Sequence, residues 1–180
     1  MAWRRVDFQR VSQYALSIRA NSAQRLDGLR SGAMPVTMAE RERGLYPSLE
    51  RNGAMDIKIC IGALAVDAEL NDTRTGRQIA AALPIQATFN TWGDEIYFAI
   101  PVSAELDESA RELVDMGDLG YWPPGKALCI FFGPTPMSRS GEIRPASAVN
   151  IVGKVKGDAT QFRQVMRERQ VTLEASPPPR

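Results

Sequence analysis

Six large side chains give this sequence the means to hold a ligand: Trp92, Tyr97, Tyr121, Trp122, Phe132 and Met137. Arg144 and Ser147 stand near them in sequence as polar anchors. An apolar wall with a few placed polar groups is what most small-molecule pockets consist of. The competing reading is that the same aromatics are core and corner packing, which is the usual duty of such residues at strand ends. Catalytic groups are harder to find, and no residue is assigned a catalytic role. The chain has no histidine, which excludes a His triad, a His-ligated metal and a His general base. Its two cysteines, Cys60 and Cys129, cannot make a zinc site alone. Both sit in apolar runs (IKICIG and ALCIFF) and read as buried, inert thiols. Asp94 and Glu95 are adjacent, so on a strand they face opposite ways. They therefore read as solvated loop charges and not as a paired acid and base. There is no Walker loop, no G-x-G-x-x-G and no Cys/His cluster, so neither a cofactor nor a metal is expected.

The elements that must position these residues are short. Residues 127–132 form a continuous apolar run between Pro-Pro-Gly and Gly-Pro, the pattern of a buried strand with stiff corners. Residues 56–62 and 64–70 alternate apolar and polar around Gly62-Ala63 and read as a β-hairpin. Residues 75–78 (TGRQ) read as a capping box opening a short helix that Pro84 stops. Residues 85–89 and 95–101 read as strands around an NTWGD turn that carries Trp92. Residues 103–115 are acidic and partly helical in pattern. Residues 146–156 form a strand, and Asp158 caps a second helix with Phe162, Val165 and Met166 on one face. A last short strand covers 171–173. About seven or eight short strands, two helices and Pro/Gly corners predict a mainly β fold, a closed antiparallel barrel with helices at its open ends.

Charge divides the chain. Residues 1–53 carry nine Arg and five acids, a balance of +4; the remainder carries 13 basic and 16 acidic residues, a balance of −3. Residues 1–54 show no sustained apolar period. They read as an organelle transit peptide, a flexible tail, or upstream sequence attached by a wrong start, with Met34, Met38 and Met55 as available starts. The expectation is an Arg-rich extension that is disordered or wrongly started, followed by a barrel domain over 55–174 and a disordered Pro-rich tail over 175–180. The acidic balance of the barrel argues against nucleic acid, which needs a basic footprint. No run of 18 apolar residues is present, so no membrane partner is expected, and the default compartment is the cytoplasm. The sequence does not fix an oligomeric state.

The phrases LP (83–84), WGDEIYF (92–98), GDLGYWPPG (117–125), ALCIFFGPTP (127–136) and RPAS (144–147) resemble the recurring phrases of the small prokaryotic cyclophilin-like proteins, a group of unassigned activity. Residues 127–174 are also similar to the C-terminal half of cyclophilins. The resemblance covers about two thirds of the chain. It implies an eight-strand barrel with two helices, and it places Phe132 at the position of a proline-pocket Phe. The resemblance puts Tyr97 and Phe98, in that order, at the positions where cyclophilins carry His and Arg near the end of the third strand. No Arg lies between Arg77 and Arg111, and Met137 replaces the aromatic beyond the Thr-Pro corner. The resulting expectation is a barrel that binds a small molecule or a peptide in an aromatic groove without efficient catalysis. The alternative is a divergent peptidyl-prolyl cis–trans isomerase that works without the usual Arg and His.

Overall fold

The computed structural model describes residues 53–176. The expectations for residues 1–52 and for 177–180 lie outside the described residues.

The chain opens with β1 (Met55–Ile61) and β2 (Leu64–Leu70), an antiparallel pair joined by a two-residue turn. Gly62 sits in the turn at φ 57°, a left-handed conformation that costs glycine nothing. Ile57, Ile59 and Ile61 alternate inward and are wholly buried. Lys58 and Asp67, opposite one another on the outer side, form an ion pair of 2.7 Å. Helix α1 (Arg74–Ala81) follows. Its N-cap is Thr73, whose hydroxyl accepts from the Gly76 N–H at 3.0 Å, and not Thr75 as the capping-box pattern suggests. Thr75 is buried instead and donates to Asp107 Oδ2 at 2.8 Å. Two threonines at a helix start compete for the cap, and the one beside Asn71 takes it, because Asn71 Oδ1 accepts from the Thr73 hydroxyl at 2.7 Å.

The barrel closes through one bent segment. β3 (Ile85–Thr88) pairs with β10 (Gln170–Ala175), and β4 (Asn90–Thr91) pairs with β5 (Glu95–Ala99). Phe89 stands between the two halves, buried in the core, with its N–H on the Arg169 carbonyl at 3.0 Å. The sheet order is β3-β10-β1-β2-β9-β7-β8-β5-β4, with β7 spanning Asp118–Trp122, β8 Ala127–Phe131 and β9 Val149–Val155. The path thus starts and ends on the same seven-residue stretch, which makes a nearly closed antiparallel barrel. Counting β3 and β4 as one bent strand gives the eight expected. The short β6 (Ala110–Arg111) is added on β9.

Two expectations are corrected here. Residues 103–115 are not helical: they form an irregular segment that pairs with β9 through β6 and bridges Val114 to Ile143. Asn150, fully buried, holds this stretch by donating to the Glu105 carbonyl at 2.8 Å and accepting from the Asp107 N–H at 2.9 Å. Stranding such a buried amide costs about 1–3 kcal/mol, enough to enforce its network. The Asp158 cap is real, but the turn it opens (Ala159–Val165) is 3-10. It plugs one barrel end with Phe162, whose ring centre lies 5.9 Å from that of Phe132.

The cysteines separate. Cys129 is buried, while Cys60 is only half-buried. Cys60 lies between Ile59 and Ile61, which point inward, so the strand pleat turns its thiol outward. In native protein a thiol reagent is expected to label Cys60 and to leave Cys129 untouched until the chain unfolds. Mass mapping of a short labelling pulse checks this; equal protection of both thiols would contradict the orientation of β1.

Candidate functional site

Pairing register sorts the aromatic residues onto two sides of the wall. On the inner side lie Ile96, Phe98, Leu119, Tyr121, Leu128, Ile130 and Phe132, all within the main core. Tyr121 donates its hydroxyl to the Val102 carbonyl at 2.9 Å, a satisfied core tyrosine. On the outer side a second apolar cluster contains Val114, Cys129, Phe131 and Val149, with Tyr97, Trp122, Ile143 and Ile151 packed on it. The eight residues proposed from sequence therefore do not line one groove. Tyr121 and Phe132 belong to the interior, and the outward aromatic of the Phe-Phe pair is Phe131. The reason is the two-residue period of a strand, which sends Tyr121 and Trp122, or Phe131 and Phe132, to opposite faces.

The outer face is built strand by strand. The Trp92 N–H donates to the Glu95 carbonyl at 2.9 Å across the Gly93-Asp94 turn. Trp92 and Glu95 are thus direct neighbours across the turn, and directly opposed residues share a face. Glu95 in turn pairs with Phe131 on β8, and Tyr97 pairs with Cys129. Cys129 pairs with Gly120 on β7. The result is a row of Trp92, Glu95 and Phe131 with a second row of Tyr97, Cys129 and Gly120 beside it. Gly120 is required by close packing: a Cβ there would sit 2.8 Å from Val149 Cγ2 and 3.0 Å from Phe131 Cε2.

The remaining predicted residues stand at the rim. Trp122 donates its indole N–H to Ser147 Oγ at 2.8 Å. Arg144 forks onto Glu142, with Nε to Oε1 at 3.0 Å and Nη2 to Oε2 at 3.4 Å. Ser138 Oγ accepts from the Thr135 N–H at 2.9 Å and the Arg144 N–H at 3.0 Å, which ties the corner after β8 to the Arg144 backbone. Met137 is 53 % exposed at that corner. A separate hollow of about 470 Å³ lies elsewhere, against β1 and β10, lined by Cys60, Gly62, Arg167, Glu168, Arg169, Gln170 and Thr172. It is open and polar and shares no residue with the aromatic face. Among the described residues no three or more His, Cys, Asp or Glu are arranged to hold a metal ion, and no helix is long and apolar enough to cross a membrane.

Glu95 is the residue that sequence reasoning missed. Taken there as a solvated charge, it is 5 % exposed in the fold. Its Oε2 has no hydrogen-bond partner among the described residues. Burial pushes its pKa up from 4.5 to about 7, with the Cys129 thiol pulling part of the way back. Burial and the Glu95 carboxyl together raise the Cys129 thiol well above its ordinary value. The Tyr97 phenol is raised for the same two reasons. Asp94, its neighbour, points away and pairs with Arg163 Nη2 at 2.7 Å. The readable signal was the turn itself: a two-residue Gly-Asp connection sets Trp92 against Glu95.

The folded chain therefore holds the Glu95 proton more tightly than the unfolded chain does. Stability from this group is complete below about pH 4.5 and is lost as pH rises through about 7. A shift of this size corresponds to roughly 3 kcal/mol between those limits. Glu95→Gln is expected to melt higher than the wild type at alkaline pH and to lose that pH dependence. Thermal midpoints across the range check this; parallel profiles for the two proteins would contradict it.

A model of the cyclophilin-like family matches residues 55–174. The solution structure of a hypothetical protein from Archaeoglobus fulgidus is similar, at 41 % identity and a TM-score of 0.60, over 71 % of this chain and 98 % of that one. A search of curated proteins finds no match. A barrel closed through a bent strand, with the matched family spanning it from the first residue of β1 nearly to the end of β10, makes the assignment plain: the chain belongs to the cyclophilin-like family.

Proposed function

We propose that this barrel is a binding module that takes a small molecule or a peptide on its outer aromatic face without efficient catalysis. The observation that carries the reading is the row of Trp92, Glu95 and Phe131, flanked by Tyr97 and Trp122. It combines half-buried aromatic surface with one buried polar atom that lacks a partner among the described residues, and buried polar atoms in native folds are nearly always paired. A ligand that reaches it supplies the missing partner.

Isomerisation of a prolyl peptide requires more than a seat. The uncatalysed barrier is about 18–20 kcal/mol. An enzyme lowers it by binding the twisted amide better than the planar one, through a donor aimed at the nitrogen as conjugation is lost. The outer face of β5 carries Glu95 and Tyr97 and no arginine, and Phe98 faces the core. Arg144 has its guanidinium on Glu142. Loss of one well-placed donor costs about 100- to 1000-fold in rate. Turnover of an Ala-Pro peptide in a protease-free assay is expected to lie near background, and Arg144→Ala to leave it there. Turnover at the level of an ordinary cyclophilin would overturn the binding reading in favour of a divergent isomerase, with Arg144 as the replacement donor if its removal abolished the rate.

A further inference from the structure

We propose that the ligand group recognised on the outer face is a small organic cation, an ammonium or alkylated ammonium, whose charge is met by Glu95 between the half-buried Trp92 and Tyr97, over the buried ring of Phe131. The proposal rests on the binding reading above and names its ligand class.

Three observations converge. The first is placement. Cross-turn pairing sets Trp92 beside Glu95, strand pairing sets Phe131 on its other side, and Tyr97 follows two residues along β5 on the same face. Aromatic faces carry a negative quadrupole and attract cations, most strongly where water is excluded. The second is the missing partner. Glu95 is 5 % exposed and its Oε2 accepts no hydrogen bond among the described residues. A carboxylate has about four acceptor positions, so most of its capacity is unspent.

The third is the absence, among the described residues, of a local counter-charge. The titratable groups that face Glu95 are Tyr97 on its own strand and Cys129 on β8. β4 contributes only Asn90 and Thr91, and residues 133–136 after β8 contain no ionisable side chain. In the turn, Asp94 is already held by Arg163, with Nε and Nη2 at 3.1 and 2.7 Å from Oδ2. Arg144 and Lys154, the cations of neighbouring segments, are paired to Glu142 and Asp118. A buried carboxylate with no cation of its own is costly to ionise, and an incoming cation removes that cost. An anion gains nothing there, and a neutral acceptor would need Glu95 to remain protonated. The two cases predict opposite pH dependences.

The test uses the full chain, choline as the cationic probe and 3,3-dimethylbutan-1-ol as its uncharged isostere, with affinity read by calorimetry. With Glu95 titrating near 7, the ionised fraction rises about tenfold between about pH 6 and about pH 8.5, and the apparent affinity for choline is expected to rise by the same factor. The alcohol is expected to bind about tenfold or more weakly than choline at the higher pH. Glu95→Gln is expected to abolish both the preference and the pH dependence, while its melting profile shows that it remains folded. Equal binding of both probes with no pH dependence, or tighter binding at the lower pH, would overturn the cation and leave the binding reading standing. Binding of a proline peptide without either probe would do the same. If none of the three binds, both the ligand class and the binding reading fall.

Discussion

Everything in this fold depends on the backbone pairing of one short segment. Residues 85–88 give their hydrogen bonds to β10, the chain bends at Phe89, and residues 90–91 turn theirs to β5. Without that bend the sheet would be an open ribbon with two bare edges, each a template for another chain. With it, every strand of the wall has a partner on both sides along part of its length, and the wall acquires an inside and an outside. Side-chain alternation then becomes a sorting rule: one residue inward, the next outward. Tyr97 and Phe98, Tyr121 and Trp122, Phe131 and Phe132 are separated by that rule alone.

The inside is conventional. Isoleucine, leucine and phenylalanine fill it, and each buried large side chain contributes roughly 1.5–3 kcal/mol. The outside of β5, β7, β8 and β9 is less conventional, because it is covered too. Val114 and Ile143 close over Phe131 and Val149, and these covering segments are held by polar bonds. Asn150 ties residues 105–107 to the wall, and Thr135 and Ser138 tie the corner after β8 to Arg144. Where Phe131 and Val149 are covered, a polar group on the outer side has the environment of a pocket floor. Glu95 is the group so placed.

Much of this was legible in the residues. The Ile-x-Ile-x-Ile run of β1, the Gly62 turn and the apolar run of β8 identify their strands, and phrases spread over two thirds of the chain point to the family. The failures share one cause. Residue type and proximity in sequence group the aromatic residues together, whereas the sheet sorts them by parity. Parity was available: Ile59 and Ile61 inward already require Cys60 outward. What no local pattern carries is the cover. Residues 103–115 have an acidic, partly helical pattern, and only the long-range pairings of β6 with β9 and of Val114 with Ile143 bring Val114 over the outer face. Since that cover is invisible, so is the burial of what lies beneath it. For the same reason Thr75, an evident cap by spacing, proves to be a buried link to Asp107, while the cap falls to Thr73.

Glu95 also weighs against a purely structural account of the outer face. A carboxyl in an apolar wall lowers stability whenever it is ionised, and glutamine would fill the same space without that cost. Among the described residues its burial is not compensated by an ion pair, as it is for Asp118 with Lys154 or Asp94 with Arg163. Those two acids lie in the same part of the fold and each has recruited a base, so the local backbone does not forbid pairing. Cys129, the nearest polarisable neighbour, gives at most a weak thiol hydrogen bond. Local rules are broken in this way most often at functional sites, where a group kept unsatisfied by the fold remains available to something else. The aromatic row on either side of Glu95 gives that availability a direction, since half-buried Trp92 is where the row meets solvent.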